Sequence, residues 1–135
     1  MFRNTWRRSK GSTMNIKAFR RDEYQDEISK DVAHGTTETL HDIWVPQGCV
    51  LRLLSGSNSL NDPSVIGDVY WTVLVNGFEQ DPYQKIKEVS NGLRQPLKPI
   101  EARGGDHLQI KATNGHASTD VKMGYDLAWE IVYLT

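Results

Sequence analysis

The sequence predicts an all-β protein, built as a β-sandwich or a small barrel, and three observations lead to this prediction. About seven or eight segments of strand character follow one another, with turn residues at short intervals. The last of them, residues 121–133, places apolar or aromatic side chains at every second position, as expected of a strand with one buried face. Helical periodicity is weak, and no internal repeat indicates a solenoid or propeller.

The first strands are predicted from local composition. Residues 39–45 form one strand, which ends at Pro46-Gln47-Gly48, and residues 49–54 form the next. Small polar residues from 55 to 64 predict a loop. A third strand over 68–75 is rich in β-branched and aromatic side chains, and Asn76-Gly77 directly after it predicts a tight hairpin.

Two short helices are predicted, one in each weak stretch of the β pattern. Over residues 22–34 apolar side chains recur every four residues, at Tyr24, Ile28 and Val32. Asp81-Pro82 can start a second helix that runs to about residue 90, and a long irregular flap is the competing interpretation. After it come an edge-like strand at 97–101 and an alternating strand at 108–112.

Charge divides the chain into two regions. Residues 1–21 contain seven cations and no acid, although the net charge of all 135 residues is only −1. The remainder therefore has nine cations against seventeen acids, or −8. We predict a basic arm (residues 1–35), which includes the first of the two helices, and a sandwich domain (residues 36–135). Met14 is an alternative start of the chain.

The arm is the predicted partner-binding segment, because arginine next to aromatic residues is common at interfaces. Its partner is nucleic acid or the acidic body of a neighbouring subunit, and a solvated leader is the third interpretation. Nucleic acid is expected to touch only the arm, because the rest of the chain is acidic. The arm residues assigned to binding are Phe2, Arg3, Trp6, Arg7, Arg8, Lys10, Lys17, Phe19, Arg20 and Arg21.

No pattern in the chain predicts catalysis, a metal site or a cofactor. The four histidines have no metal-ligand spacing, and only a convergence of His41 and His107 in space would make a cupin-like enzyme site. Cys49 lies at the start of an apolar strand and is interpreted as a packed thiol. Asp120, Asp126 and Glu130 fall on the polar face of the last strand and are interpreted as solvating residues.

Two further exclusions and one alternative concern the apolar and aromatic residues. No apolar run approaches the roughly 20 residues of a membrane helix, so no contact with a membrane is expected. Trp71 and Trp129 lie on the apolar faces of their strands and are assigned to the core. Exposed aromatics would instead indicate a carbohydrate- or receptor-binding module, with Tyr70 and Tyr83 as the candidates.

The order of elements from about residue 40 onward resembles a known group of proteins. The resemblance lies in Val45-Pro46-Gln47-Gly48 with the strand after it, in Val73-Leu74-Val75-Asn76-Gly77, and in Pro99 to Ile110, before a long aromatic final strand. They are similar to the jelly-roll sandwiches of tailed-phage decoration or cement proteins. The resemblance implies a non-enzymatic virion protein that forms homo-oligomers and uses its arm to bind a major capsid or other virion protein.

Overall fold

The computed structural model describes residues 20–134, and they form the all-β sandwich that the sequence predicts. Two antiparallel sheets face each other. Sheet 1 has the order β1-β9-β3-β6, with β7 also paired to β3, and sheet 2 has the order β2-β8-β4-β5. The strands are β1 (Arg20–Val32), β2 (Thr36–Trp44), β3 (Cys49–Leu60), β4 (Val69–Val75), β5 (Phe78–Glu79), β6 (Gln95–Pro96), β7 (Glu101–Arg103), β8 (His107–Asn114) and β9 (Val121–Tyr133).

The core lies between the sheets and is built from alternate positions of the long strands. In β8, the residues at 108, 110, 112 and 114 are buried, and those between them are partly exposed. Trp71 is completely buried on the inner face of β4, as predicted, and Cys49 is buried at the start of β3. Burial of this apolar surface is the main stabilising contribution to such a sandwich.

The final strand and the hairpin are the clearest confirmed predictions. β9 runs from Val121 to Tyr133 and is the central strand of sheet 1, with β1 on one side and β3 on the other. At the end of β4, Asn76 and Gly77 have φ values of 53° and 82°. Positive φ at both central positions is the geometry that makes Asn-Gly a tight hairpin turn, and β5 follows at once.

The helix predicted over residues 22–34 is wrong. Residues 22–32 lie in β1, which pairs with β9 at all thirteen of its positions, and residues 33 and 34 belong to the turn after it. A spacing of four residues is a multiple of the strand period of two, so Tyr24, Ile28 and Val32 also share one face of a strand. Pairing with the long neighbour β9 decides between the two conformations. The described part of the predicted arm, residues 20–35, is thus an edge strand of sheet 1 and the turn after it.

The second predicted helix is also absent, and the flap interpretation of the same residues is confirmed. The amide of Ile86 donates to the carbonyl of Trp71 at 2.7 Å, and the Trp71 amide donates back at 3.0 Å. The backbone groups that a helix would need are therefore engaged with β4. Beyond Ile86 the chain crosses to sheet 1, where Asn58 binds it, and then forms β6 and β7. Residues 80–94, which connect the two sheets here, are called the crossover segment.

The predicted loop at 55–64 mostly continues β3, which extends to Leu60 along β9. Gly56 permits this, because a Cβ at this position would overlap the ring of Tyr125. The described residues contain one short helix, a 3₁₀ turn at Pro63–Asp68, in and just beyond the predicted loop. It begins where the Asp62 side chain accepts from the amide of Ser64 at 3.0 Å.

Candidate functional site

Only two of the ten predicted arm residues lie among the described residues. Arg20 and Arg21 occupy the first two positions of β1. Outside the described residues lie the other eight, namely Phe2, Arg3, Trp6, Arg7, Arg8, Lys10, Lys17 and Phe19.

Both described arginines contact carboxylates of their own domain. Arg20 donates to Asp22 at 2.9 Å and lies over the ring of Tyr133, with its guanidinium carbon 4.4 Å from the ring centroid. The hydrogen bond with Asp22 raises the pKa of Arg20 and lowers that of the Asp22 carboxyl. Arg21 lies 3.4 Å from a carboxylate oxygen of Glu130. The described end of the basic segment is thus matched to acidic groups.

Glu130 is the centre of a charge cluster on the outer face of sheet 1. Its side chain is only 5% exposed, and Arg52 on β3 donates to it at 3.0 Å. Arg52 also donates to Glu101 on β7 at 3.1 Å, and Arg103 lies 3.7 Å from the same carboxylate. The sequence placed Glu130 among solvating residues, and this interpretation is wrong, because the two arginines of neighbouring strands cover it.

The other two carboxylates, Asp126 and Asp120, agree better with the prediction of solvating residues. Asp126 pairs with Arg94 of the crossover segment at 2.6 Å and is partly exposed. Asp120 is exposed and accepts from both the backbone amide and the ring of His34, which lowers the pKa of the Asp120 carboxyl. Glu27 lies opposite Asp126 across the β1–β9 pair, but the Asp126 carboxylate is engaged with Arg94 and Gln25 rather than with a second acid.

An aromatic cluster lies at the same end of sheet 1 as Arg20. The ring of Tyr24 stacks on Trp129, with 5.5 Å between centroids and 20° between planes. Trp129 is only partly buried, in contrast to Trp71, although it packs against the buried core. The predicted core role of Trp129 is confirmed only for the part of the ring that packs on the apolar core.

A second exposed aromatic group lies on the outer face of sheet 2. Trp44 is 64% exposed, and its ring stacks on His107 with 3.9 Å between centroids and 3° between planes. Nε2 of His107 bonds to the carboxylate of Asp42, and the His107 amide donates to Asn76 at 2.8 Å. These contacts hold the indole ring in a defined orientation with most of its surface open to solvent.

The sequence did not predict this cluster, although it contained one of the two features that form it. His41, Ile43 and Val45 alternate with Asp42 and Trp44 along the first predicted strand, which already puts Asp42 and Trp44 on one polar face. The second feature is the pairing of β2 with β8, which puts His107 directly opposite Trp44. Strand pairing across a sheet has no local sequence signature of this kind.

His41 and His107 do not converge. His41 is buried on the inner face of β2, opposite Ile110, and its Nε2 donates to the carbonyl of Tyr125 at 2.8 Å. His107 lies on the outer face of the same sheet. Within residues 20–134, no three His, Cys, Asp or Glu side chains are grouped so that they could hold a metal ion.

A cleft of about 570 Å³ lies between the crossover segment and β3. Tyr83, Ile86, Leu97 and Tyr125 line it together with lysines of the crossover. Burial raises the pKa of the Tyr125 hydroxyl. Tyr83 is half-buried, and its hydroxyl accepts from the amide of Lys98 at 2.7 Å.

The two tyrosines that the sequence named as sugar-binding candidates are not open platforms. Tyr83 is held by the bond to Lys98, and Tyr70 is half-buried with the Lys85 ammonium 4.9 Å from its ring centroid. The exposed aromatic side chains of sheet 2 are instead Trp44 and Phe78, and Trp44 is the one whose ring stacks on a neighbour.

Comparison with known proteins adds no assignment to these surfaces. No protein-family model matches the chain, and no curated protein matches it closely enough to count as a relative. Among the described residues, no helix has the length and apolar character needed to cross a membrane.

Proposed function

We propose that this chain is a non-enzymatic structural protein of a virus particle, a decoration or cement protein of the tailed-phage type. It binds a protein shell through the arm, residues 1–35, and associates with copies of itself. The observation that carries the proposal is the charge separation: seven cations without an acid in residues 1–21, on a remainder of −8. Its place of action is the virion, after synthesis in the host cytoplasm.

The contacts of Arg20 and Arg21 support an acidic protein surface as the target of the arm. Both guanidinium groups pair with carboxylates, at 2.9 Å to Asp22 and 3.4 Å to Glu130. Arginine and carboxylate form charge-assisted hydrogen bonds, and these give an interface directional contacts. A row of further cations N-terminal to these two would bind a neighbouring acidic surface by the same chemistry.

The strand order supports the jelly-roll part of the proposal. Along the chain, β1, β3, β6, β7 and β9 lie in sheet 1, while β2, β4, β5 and β8 lie in sheet 2. Most connections therefore cross from one sheet to the other, as they do when an antiparallel ribbon wraps into a double-sheet jelly roll. Fold alone does not assign a function, so the shell-binding part depends on the arm.

The test is co-sedimentation of the full chain with empty capsids of the phage whose genome encodes it. The wild-type chain should pellet with the capsids, and a variant with four arm cations replaced by glutamine should stay in the supernatant. A variant with the same loss of charge on exposed lysines of the sandwich should still pellet. The arm set is Arg3, Arg7, Arg8 and Lys10, and the control set is Lys85, Lys87, Lys98 and Lys122.

Two results would overturn the proposal. In the first, the wild-type chain does not pellet with empty capsids at low salt. In the second, it pellets only with DNA-filled particles, and nuclease treatment releases it. The second result would assign the arm to nucleic acid, the other partner that its charge allows.

The exposed indole of Trp44 favours a second candidate function, a carbohydrate-binding module. The ring is 64% exposed and is held flat against His107, so it is available for stacking with the apolar face of a sugar ring. The Asp42 side chain, 55% exposed and bonded to His107, adds a hydrogen-bond acceptor for hydroxyl groups beside the ring.

A glycan panel probed with the full chain tests this candidate. Trp44→Ala should abolish binding of any glycan that the wild-type chain retains, and Trp44→Phe should keep part of it. Phe78→Ala is the matched control, because Phe78 is 74% exposed on β5 and lies outside the Trp44 cluster. The candidate is rejected if no glycan binds, or if Trp44→Ala binds as well as the wild type does.

A further inference from the structure

Within the part of the chain that the structure describes, β1 is a long edge strand of sheet 1 with one unpaired side. Among residues 20–134 its backbone pairs with β9 alone, over thirteen consecutive positions and without a register shift. The strand contains no proline. A regular edge of this length presents a row of free N–H and C=O groups, which can pair with a strand of another chain.

Symmetry restricts how two copies of β1 can pair with each other. An antiparallel pair made by a two-fold axis has that axis perpendicular to the sheet, so equivalent residues of both copies point to the same side. Residues opposite each other must also point to the same side. One residue of β1 therefore faces its own copy, and the choice of this central residue sets every other pair.

With Asp26 at the centre, all thirteen residues of β1 are paired and the charges match. On the outer face of sheet 1, Arg21 lies opposite Asp31. On the inner face, Asp22 lies opposite Lys30, and Tyr24 lies opposite Ile28. The two-fold axis repeats each pair, so the interface has four opposite-charge pairs and two aromatic–aliphatic pairs. The only like-charge pair is Asp26 with its own copy.

The registers next to this one place like charges opposite each other. Centring on Gln25 puts Arg20 opposite Lys30 and Glu23 opposite Glu27, and centring on Glu27 puts Glu23 opposite Asp31. Like charges in directly opposite positions destabilise a strand pair. A register centred on Ile28 avoids them but pairs only nine residues. The sequence of β1 thus selects one register for its own copy.

We propose that β1 pairs with β1 of a second copy of this chain, antiparallel and centred on Asp26. Sheet 1 then continues across a symmetric dimer. This dimer is one form of the self-association that the proposed function includes, and it rests on the proposed function in this respect alone. Dimer formation in solution requires no shell.

The side-chain contacts of the single chain leave room for these pairs. The Lys30 ammonium donates to the carbonyl of Thr39 at 2.6 Å and keeps two further donors. Asp22 accepts from Arg20 through Oδ2 and also interacts with the Tyr133 hydroxyl, and a carboxylate has about four acceptor sites, so it can still accept from Lys30 of the other copy. Arg21 contacts Glu130 through Nη1 and keeps other N–H groups for Asp31 of the other copy.

Sedimentation equilibrium of the full chain measures the interface. Asp31→Lys puts like charges opposite Arg21 at two places and should weaken the dimer about tenfold. Glu27→Lys makes the same change of charge opposite an uncharged residue, Gln25, and should leave the Kd almost unchanged. Asp26→Asn removes the central repulsion and should tighten the dimer about two- to fivefold. All three positions are exposed, and because Asp31 and Glu27 also lie opposite Lys122 and Asp126 of β9, urea unfolding of each variant checks that the fold is kept.

A cysteine cross-link tests the register. Asp26→Cys should form a disulfide between two copies, because residues that face each other across an antiparallel pair have Cα atoms about 5 Å apart. Glu27→Cys should not, because its copy is offset along the strand, and Cys49 is buried in both variants.

Two results would overturn the interface: a chain that stays monomeric at millimolar concentration, or a dimer that Asp31→Lys and Glu27→Lys weaken equally. A monomer whose β1 amides are protected from hydrogen exchange would assign the edge to the chain's own N-terminal residues instead. Shell binding is measured separately by co-sedimentation, so either outcome leaves that proposal to its own test.

Discussion

The buried imidazole of His41 donates from Nε2 to the backbone carbonyl of Tyr125 at 2.8 Å and thereby joins sheet 2 to sheet 1. The two rings also meet edge to face, with 6.2 Å between centroids. Burial lowers the pKa of His41 below its usual value, and the bond to Tyr125 and the carboxylates of Asp26 and Asp126 oppose this shift only in part. A neutral histidine is therefore part of the folded core.

The first prediction is a loss of stability in acid that depends on His41. Because the folded state disfavours the charged ring, the stabilisation that the neutral ring of His41 provides is complete above pH 6.5, the usual pKa of a histidine side chain. It is lost as the pH falls below that value, when the unfolded chain takes up a proton that the folded chain excludes. Urea unfolding at pH 7.5 and pH 5 should show this decrease for the wild type. His41→Leu should lower stability at pH 7.5 by about 1–3 kcal/mol, because the Tyr125 carbonyl loses its partner, and should show a smaller acid effect.

His34→Gln is the control for that experiment. His34 is exposed and hydrogen-bonds to Asp120, so its replacement should leave the acid sensitivity in place. If His41→Leu and the wild type lose equal stability between the two pH values, the acid effect belongs to other groups.

The second prediction concerns the close contact of Gly56 with Tyr125. Gly56→Ala should destabilise the fold by about 1–3 kcal/mol, because the new methyl group overlaps the tyrosine ring in a packed region. Gly67→Ala has open space around its new methyl group and should change the free energy of unfolding by less than about 0.5 kcal/mol. Thermal or urea unfolding of both variants gives the comparison, and equal effects would contradict the overlap.

The third prediction separates buried from exposed charge on the outer face of sheet 1. Glu130→Ala should cost about 1–3 kcal/mol, since its carboxylate is covered and bonded to Arg21 and Arg52. Glu101→Ala removes a carboxylate that contacts the same Arg52 but is 39% exposed, and should cost less than about 1 kcal/mol. Urea unfolding at low and high salt measures both, and only the Glu101 effect should decrease strongly with salt. Similar costs for the two variants would refute the distinction.

The fourth prediction concerns the attachment of the crossover segment at Asn58. Its side chain accepts from the amide of Ser90 and donates to the carbonyl of Glu88, both at 2.8 Å. Asn58→Ala leaves these groups without partners, and we expect a cost of about 1–3 kcal/mol. Hydrogen exchange followed by mass spectrometry should show faster exchange from residue 82 to 94, with β8 unchanged. Ser59→Ala, at the exposed neighbouring position, should exchange like the wild type.

Local chemistry was sufficient to predict several elements of the fold. The Asn76-Gly77 turn follows from the tolerance of these residues for positive φ, and the observed angles confirm it. β9 follows from its strict alternation, because one face of the strand is apolar over its whole length. In both cases the signal lies in neighbouring residues, so no distant partner is needed to interpret it.

Other features required a partner strand and were mispredicted or missed. β1 has an apolar spacing that fits a helix and a strand equally well, and β9 selects the strand. Glu130 looks like a solvent-exposed residue until β1 and β3 bring Arg21 and Arg52 to it. The Trp44–His107 stack exists because β2 pairs with β8, and neither residue identifies the other in the sequence.

The sequence by itself therefore determined the β class, the tight turn, the central strand and the separation of charge between residues 1–21 and the remainder. Tertiary structure alone decided that residues 20–32 form an edge strand of sheet 1 within the described part of the chain, that Glu130 is covered, and that His41 and His107 lie on opposite faces of sheet 2. The physical reason is the nature of the β-sheet. Its hydrogen bonds join residues far apart in the chain, so the surroundings of a side chain depend on strands that its own segment does not encode.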